Sequence, residues 1–243
     1  MTTTATSDTE GEAPPESRIA SLERYDRFVA AVQTQCADPG TQQALRRGLA
    51  KPVDEVPART HAALLRGGLV PDDARGPKRR AYYAVAALIA ARPRAQRLAD
   101  ADSTDATGAA AVVVPSATTR FRPSGTSLGE SLALAVTRRG TEGIKEDGAE
   151  ARLHLMVRQE ADGIHRMLPA VLRQLGSAGV AADYGCLLRD LIVWHHYRDS
   201  VATRWLEDFY RTLRREKAAA NEDRTGDGAG DLPDTAPSAA PAT

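Results

Sequence analysis

The chain has 243 residues, with 32 basic and 32 acidic side chains. This length suits one or two domains with a sizeable core. No apolar run approaches the roughly 20 residues that cross a bilayer, and residues 1–17 lack the basic and apolar regions of a signal peptide. Two cysteines, without CxxC spacing, are typical of a reduced compartment. The sequence therefore predicts a cytoplasmic protein without a membrane segment.

The charges are unevenly distributed along the chain. Residues 1–17 carry four acidic and no basic side chains, and residues 218–243 carry five acidic and one basic. Residues 18–217 therefore carry 31 basic against 23 acidic side chains, and arginine dominates the excess. Because the planar guanidinium fits phosphate oxygens, a polyanionic partner is one explanation. The alternative explanation of the arginine excess is a codon usage that replaces lysine by arginine on any protein surface.

Helical patterning accounts for the first half of the chain. Apolar residues at three-to-four spacing predict an amphipathic helix over 18–36. We expect Thr41 to cap a short helix over 41–48, and another short helix to span 58–66. Pro77 suits the first turn of a helix over about 77–91. This last helix is apolar nearly all round, so we expect it to be central.

The pattern breaks over residues 100–124, which are mostly Ala, Thr, Ser, Asp and Gly. A strand at 111–114 is conceivable, but the chain offers it no partner. We expect a long insertion loop here. Helical patterning then resumes, and Ser127 with Glu130 forms a capping-box pattern.

The second half predicts five further helices, and Asp183 is expected to cap the fourth of them. The predicted ranges are 127–139, 148–159, 162–175, 183–197 and 199–215. The fold class is therefore all-α, an irregular bundle of about eight or nine helices. Its domain would span 18–217, between disordered acidic tails at 1–17 and 218–243.

The sequence predicts neither catalysis nor a metal or other cofactor. His195 and His196 are adjacent, so on a helix they point about 100° apart and cannot chelate together. No HExxH motif and no Walker loop occurs. Asp183 and Asp190, seven residues apart on one helix face, could be half of an acid pair. A helix cap and an ion pair with a neighbouring arginine explain them better.

Three aromatic side chains in the closing helices could form a platform for stacked bases. Trp194, Trp205 and Phe209 each lie on an apolar stripe with leucines. We therefore expect all three in the core.

Basic residues cluster at the ends of predicted helices. The arginine pair 46–47 lies on a short helix, and 138–139 closes another. The cations 78–80 open a helix, where they oppose the helix dipole at a cost of several tenths of a kcal/mol each. This indicates an external anion, although Asp72 or Asp73 could neutralise them. Few aromatics are interleaved, which favours contact with a backbone over readout of bases.

Several segments, taken in order, resemble CasB, the small subunit of the type I-E CRISPR interference complex Cascade. The resemblance runs from about residue 20 to residue 210 and leaves out the tails and the insertion. The segments are LRRGL (45–49), YYAVAALIAARP (82–93), SLGESLA (127–133), EARLHLMV (150–157) and DYGCLLRDLIVWHHYRDSVATRWLEDFY (183–210).

This resemblance implies a non-catalytic all-α subunit that contacts nucleic-acid backbones and helps to hold the R-loop open, while guide pairing supplies sequence identity. The implied partners are the other Cascade subunits, guide RNA, target DNA and a second copy of the chain, with no membrane and no small-molecule substrate. By position, the resemblance implies binding roles for Arg46, Arg47, Arg138, Arg139 and Arg152, and secondarily for Arg24, Lys51, Arg79 and Arg80.

Two other functions stay open at this level. A stand-alone helical DNA-binding regulator would bind specific DNA in isolation, although no clear helix-turn-helix supports it. A small helical enzyme would lose activity on changing Asp183 or Asp190.

Overall fold

The computed structural model of the chain describes residues 15–93, 96, 125–138 and 143–226. Over these ranges the chain forms α-helices and one 3₁₀ turn (Val53–Glu55) but no strand, so the predicted all-α class is confirmed. The eight helices described there are α1 (Pro15–Gln35), α2 (Pro39–Arg46), α3 (Ala58–Leu65), α4 (Gly76–Ala90), α5 (Leu128–Thr137), α6 (Glu146–Val157), α7 (Ala161–Ser177) and α8 (Tyr184–Gly226).

α2 begins earlier than the sequence pattern predicted. Its N-cap is Asp38, whose Oδ2 accepts a hydrogen bond from the Thr41 backbone N–H at 2.7 Å. Pro39 follows in the first turn, where its missing N–H leaves no hydrogen bond unmade. The prediction that Thr41 caps this helix was therefore wrong, because the acceptor that satisfies the first turn lies three residues upstream.

α5 begins with the cap that the sequence predicted, and a glycine brings it close to α8. Ser127 Oγ accepts a hydrogen bond from the Glu130 backbone N–H at 3.2 Å. A Cβ atom on Gly129 would stand 1.8 Å from the carbonyl oxygen of Trp205. Because glycine has no Cβ, the two helix backbones can approach this closely.

α4 lies at the centre of the bundle, as its apolar composition predicted. Nearly all of its side chains from Ala81 to Ala90 are buried, and Tyr82 and Ile89 are almost completely so. The helix packs against α1, α2, α7 and α8. It therefore connects the small N-terminal helices with the rest of the fold.

α8 bends sharply at Tyr197, whose backbone angles (φ −126°, ψ 32°) are not helical. The indole N–H of Trp205 donates to Asp190 Oδ2 at 2.8 Å. Asp190 and Trp205 are 15 residues apart in sequence, so in a straight helix they would be separated by about 22 Å along the axis. The chain therefore folds back at Tyr197 into two arms, 184–196 and 198–226, which confirms the predicted break.

A buried carboxylate joins the two arms. Asp190, on the first arm, is 1% exposed. Besides the indole of Trp205, it pairs with Arg189 at 3.1 Å (Nε to Oδ1) and with the guanidinium of Arg204 on the second arm. Asp183 caps α8 through a hydrogen bond from the Cys186 N–H at 2.8 Å. The structural explanation of both aspartates is thus confirmed.

The aromatic side chains of α8 form part of the core, as predicted. Trp194 is 2% exposed, and Trp205 and Phe209 are fully buried. The two indole rings lie 5.1 Å apart between centroids. Cys36 and Cys186 are also buried, and neither forms a disulfide.

Some of the predicted boundaries differ from the helix ends. α1 begins at Pro15 and α8 continues to Gly226, so helical structure extends beyond the predicted limits of 18 and 217. The predicted insertion, including its conceivable strand, lies outside the described residues. Among the helices that are described, none is both long enough and apolar enough to cross a membrane.

His165 is a buried imidazole where α7 faces α4. It is 6% exposed, and its Nδ1 has no hydrogen-bond partner in the described part of the chain. Burial lowers the pKa of His165 to about 4, with help from the positive charge of Arg80 and against the effect of Asp162. The ring is therefore neutral at neutral pH.

We expect Asp190→Ala to lower the free energy of unfolding by about 3 kcal/mol, because it leaves two arginines and an indole N–H without their shared acceptor. Asp190→Asn should cost less, since the amide oxygen can still accept from Trp205. Urea unfolding of both variants measures the difference. A wild-type stability for Asp190→Ala would contradict the bridging role.

His165 should make the protein less stable in acid. Because the folded-state pKa is below the unfolded value of about 6.5, the unfolded chain binds more protons between pH 6.5 and 4, and stability falls as pH drops through this window. We expect His165→Leu to remove about 2 kcal/mol of the loss between about pH 7 and pH 5. Urea unfolding at both pH values tests this. Parallel pH dependences of the two proteins would refute it.

Candidate nucleic-acid interface

α2 ends in an exposed pair of arginines. Leu45 is fully buried, whereas Arg46 and Arg47, which follow it, are exposed. The Thr60 hydroxyl on α3 donates to the Ala44 carbonyl at 2.6 Å and holds this end of α2 in place. This contact between α3 and α2 fixes the end of α2 that carries the basic pair.

The chain turns directly after this pair and presents a third cation. Ala50 adopts a positive φ of 59°, and the following Lys51 is exposed. Within the described ranges, the side chains of Arg46, Arg47 and Lys51 have no hydrogen bond or ion pair. We call these three residues the α2 patch. Their positive charges have no acidic partner among the described residues.

The cations that open α4 are only partly compensated by acids next to them in sequence. Lys78 forms an ion pair with Asp73 at 2.6 Å, and this hydrogen bond lowers the pKa of the Asp73 carboxyl. Asp73 therefore neutralises Lys78, one of the alternatives that the sequence left open. Arg79 and Arg80 have other partners.

Arg79 and Arg80 connect α4 with two different helices. The Arg79 guanidinium lies over the Tyr83 ring, 5.5 Å from its centroid, and the Tyr83 hydroxyl lies 2.9 Å from His61 Nδ1 on α3. Arg80 pairs with Asp162 at the start of α7, which lowers the pKa of that carboxyl. The first turn of α4 therefore lies between α3 and α7.

Two more of the predicted arginines contact α7 through neutral acceptors. Arg138 donates to the Gly179 carbonyl just beyond α7, and Arg152 donates to Gln174 Oε1. Neither acceptor carries a charge, so both guanidiniums keep their net positive charge. Arg139 lies outside the described residues.

Arg24 lies on α1, and its positive charge adds to the effect of the Lys78 hydrogen bond in lowering the pKa of the Asp73 carboxyl. Its guanidinium carbon is 4.7 Å from the centroid of the Tyr25 ring, and it donates to the Tyr25 hydroxyl at 2.8 Å. Among the residues that the structure describes, its side chain has no hydrogen bond or ion pair with the α2 patch or with α7.

The exposed side of α7 adds two arginines that the sequence analysis missed. Arg166 and Arg173 are exposed and have no ion pair or hydrogen bond in the part of the chain that the structure describes. At 100° per residue they lie within about 40° of Asp162 around the helix, and about 10 Å from each other along it. Their seven-residue spacing in a predicted helix was the signal that could have found them.

Four arginines therefore contact α7 or extend from it, and a fifth, Arg138, contacts the segment just beyond it. The carboxylate that pairs with this group, among residues the structure describes, is that of Asp162. We call this surface the α7 face, and its arginines are Arg80, Arg138, Arg152, Arg166 and Arg173. The structure thus divides most of the predicted basic residues between the α2 patch and the α7 face, with Arg79 between them.

No group of three or more His, Cys, Asp and Glu side chains is placed to hold a metal ion within the described ranges. The fold defines a class of protein, an all-α bundle. In the part of the chain that the structure describes, the surface of this bundle carries several arginines that have no carboxylate partner.

The sequence also matches a known family. Residues 43–210 match the family described as CRISPR-associated protein Cse2. This is well over half of the chain and includes the α2 patch and the α7 face. The chain belongs to the Cse2 family, and the resemblance to CasB is confirmed.

Solved structures support the same fold. One chain of a "CRISPR RNA-guided surveillance complex, pre-nicking" is 35% identical with a TM-score of 0.65, covering 82% of this chain and 98% of its own length. A chain of a "CRISPR RNA-guided surveillance complex" is 34% identical with a TM-score of 0.62 over 82% and 99%. M. ruber CasB, at 21% identity, TM-score 0.59 and coverage of 82% and 98%, shares the fold. No curated protein sequence matches the chain.

Proposed function

We propose that this protein is a non-catalytic subunit of a CRISPR RNA-guided surveillance complex of the type I-E Cascade kind. It holds sugar-phosphate backbones of guide RNA and target DNA and helps to keep the R-loop open. The α2 patch carries this proposal, because a member of the Cse2 family here exposes three cations that have no acidic partner in the part of the chain that the structure describes. Other subunits and a second copy of the chain are the protein partners.

The mechanism is electrostatic. Each guanidinium presents a planar fork of donors that fits phosphate oxygens. Binding of cations to phosphates releases condensed counterions, so affinity depends on salt and little on sequence. Sequence identity is supplied by pairing between guide and target.

The α7 face is the second support for this proposal. A guanidinium has five N–H donors, and Arg138 and Arg152 each show a hydrogen bond to a single neutral acceptor. The other donors of these side chains can reach phosphates. Arg166 and Arg173 add two exposed guanidiniums on another side of α7.

We expect Arg46→Ala/Arg47→Ala to weaken binding of a labelled R-loop substrate at least tenfold, because two phosphate contacts are lost. The slope of log K against log salt should become shallower by about 1.5–2. Fluorescence anisotropy across a salt series measures both. The melting temperature should change little, since both side chains are exposed.

The matched control is Arg27→Ala/Arg214→Ala, which removes the same charge from exposed positions on α1 and α8 that have no ion pair with any described residue. Its effect on affinity should be much smaller. Equal losses in the two double variants would show that only net charge matters, and would remove the α2 patch from the site.

The α7 face should contribute separately from the α2 patch. We expect Arg166→Ala/Arg173→Ala to reduce R-loop affinity, and the free-energy losses to add when it is combined with Arg46→Ala/Arg47→Ala, because distant sites act independently. The same anisotropy titration tests this. Full affinity in the Arg166/Arg173 variant would limit the nucleic-acid surface to the N-terminal helices.

A further inference from the structure

Arg80 differs from the other arginines of the α7 face in the kind of partner that it has. Its guanidinium pairs with the carboxylate of Asp162. The other four arginines have either a neutral acceptor or no ion pair with any described residue. Arg80 is therefore the one arginine of this face whose charge a described carboxylate compensates.

A ligand that approaches Arg80 from solvent meets Asp162 first. The Arg80 side chain is only 18% exposed, and its Nε is buried without a hydrogen-bond partner among the described residues. Asp162 is bonded to Nη1 at the end of the guanidinium, and its own side chain is 69% exposed. An incoming anion therefore competes with the Asp162 carboxylate for the accessible end of Arg80.

A second arginine acts on the same carboxylate. Arg166 lies one turn further along α7, within about 40° of Asp162 around the helix and about 6 Å from it along the axis. The hydrogen bond and the charge of Arg80 lower the pKa of the Asp162 carboxyl, and the charge of Arg166 adds to this effect. Because guanidiniums bind carboxylate and phosphate oxygens in the same way, a phosphate in this position would meet the same two cations.

We propose that Asp162 makes an autoinhibitory contact on the nucleic-acid surface, in which its carboxylate occupies the place of a backbone phosphate beside Arg80 and Arg166. When a sugar-phosphate backbone binds along α7, one of its phosphates displaces the carboxylate and pairs with Arg80. Asp162 thereby lowers the affinity of this surface for nucleic acid. The inference rests on the proposed function and adds a residue that regulates it.

The strength of the contact sets the size of the expected effect. Exposed ion pairs are weak and are screened by salt. A backbone that Arg166 and Arg173 hold at the same time can therefore displace Asp162 from Arg80. The contact should reduce affinity by a few-fold and not prevent binding.

The test is a double-mutant cycle of Asp162→Asn and Arg80→Ala in the full chain, with R-loop affinity measured by fluorescence anisotropy. We expect Asp162→Asn to raise the affinity about threefold, because a weak competitor is removed. The slope of log K against log salt should steepen by about 0.9, because Arg80 gains a phosphate contact.

The effect of Arg80→Ala should depend on Asp162. In the wild-type background it should cost less than about twofold, because the guanidinium is already occupied by a carboxylate. In the Asp162→Asn background it should cost about fivefold, because Arg80 is then free to bind a phosphate.

Glu160→Gln is the matched control, because it removes one negative charge two residues before Asp162. Glu160 pairs with Arg198 at 2.5 Å, and Arg198 does not belong to the α7 face. This variant should change R-loop affinity much less than Asp162→Asn does. Circular dichroism and thermal melting of each variant check that the helices and their packing are intact.

Three results would overturn the proposal. The first is wild-type or weaker R-loop affinity in Asp162→Asn, which would leave the ion pair only the structural role of joining α4 to α7. The second is an equal gain in Glu160→Gln, which would show that only net charge matters. The third is an equal loss from Arg80→Ala in both backgrounds, because Asp162 would then not compete for Arg80. Failure of the proposed function would instead appear as unchanged R-loop affinity in the Arg46→Ala/Arg47→Ala variant.

Discussion

The buried carboxylate of Asp190 is the interaction on which the arrangement of this bundle depends. It accepts from the indole of Trp205 and pairs with Arg189 and Arg204, so a single side chain joins both arms of α8. A charge removed from water in this way must be paired, which makes the contact between the arms specific as well as close. With the arms held together, α8 can pack against α1, α4 and α5.

The arginines of this protein fall into two groups that differ in what surrounds them. Arg189 and Arg204 are compensated by a buried carboxylate and belong to the fold. Arg46 and Arg47 are exposed and have no such partner within the described ranges. The excess of arginine in the composition does not distinguish these two groups. Only the location of acids and helix faces separates a structural guanidinium from one that is free to bind an anion.

The proposed surfaces are held by different parts of the bundle. α4 links them, because it packs against α2 and its Arg80 pairs with Asp162 on α7.

The sequence by itself determined the class, the central helix α4, the core tryptophans, the caps at Ser127 and Asp183 and the break near Tyr197. These depend on periodicity or on contacts three or four residues apart, which the order of residues encodes directly. It misplaced the cap of α2, where Asp38 and Thr41 are both suitable cap residues. It could not find the pairing of Arg80 with Asp162 or the contacts of Arg138 with Gly179 and of Arg152 with Gln174. Those depend on which helix faces meet across the bundle, and residues distant in sequence are brought together only by tertiary packing.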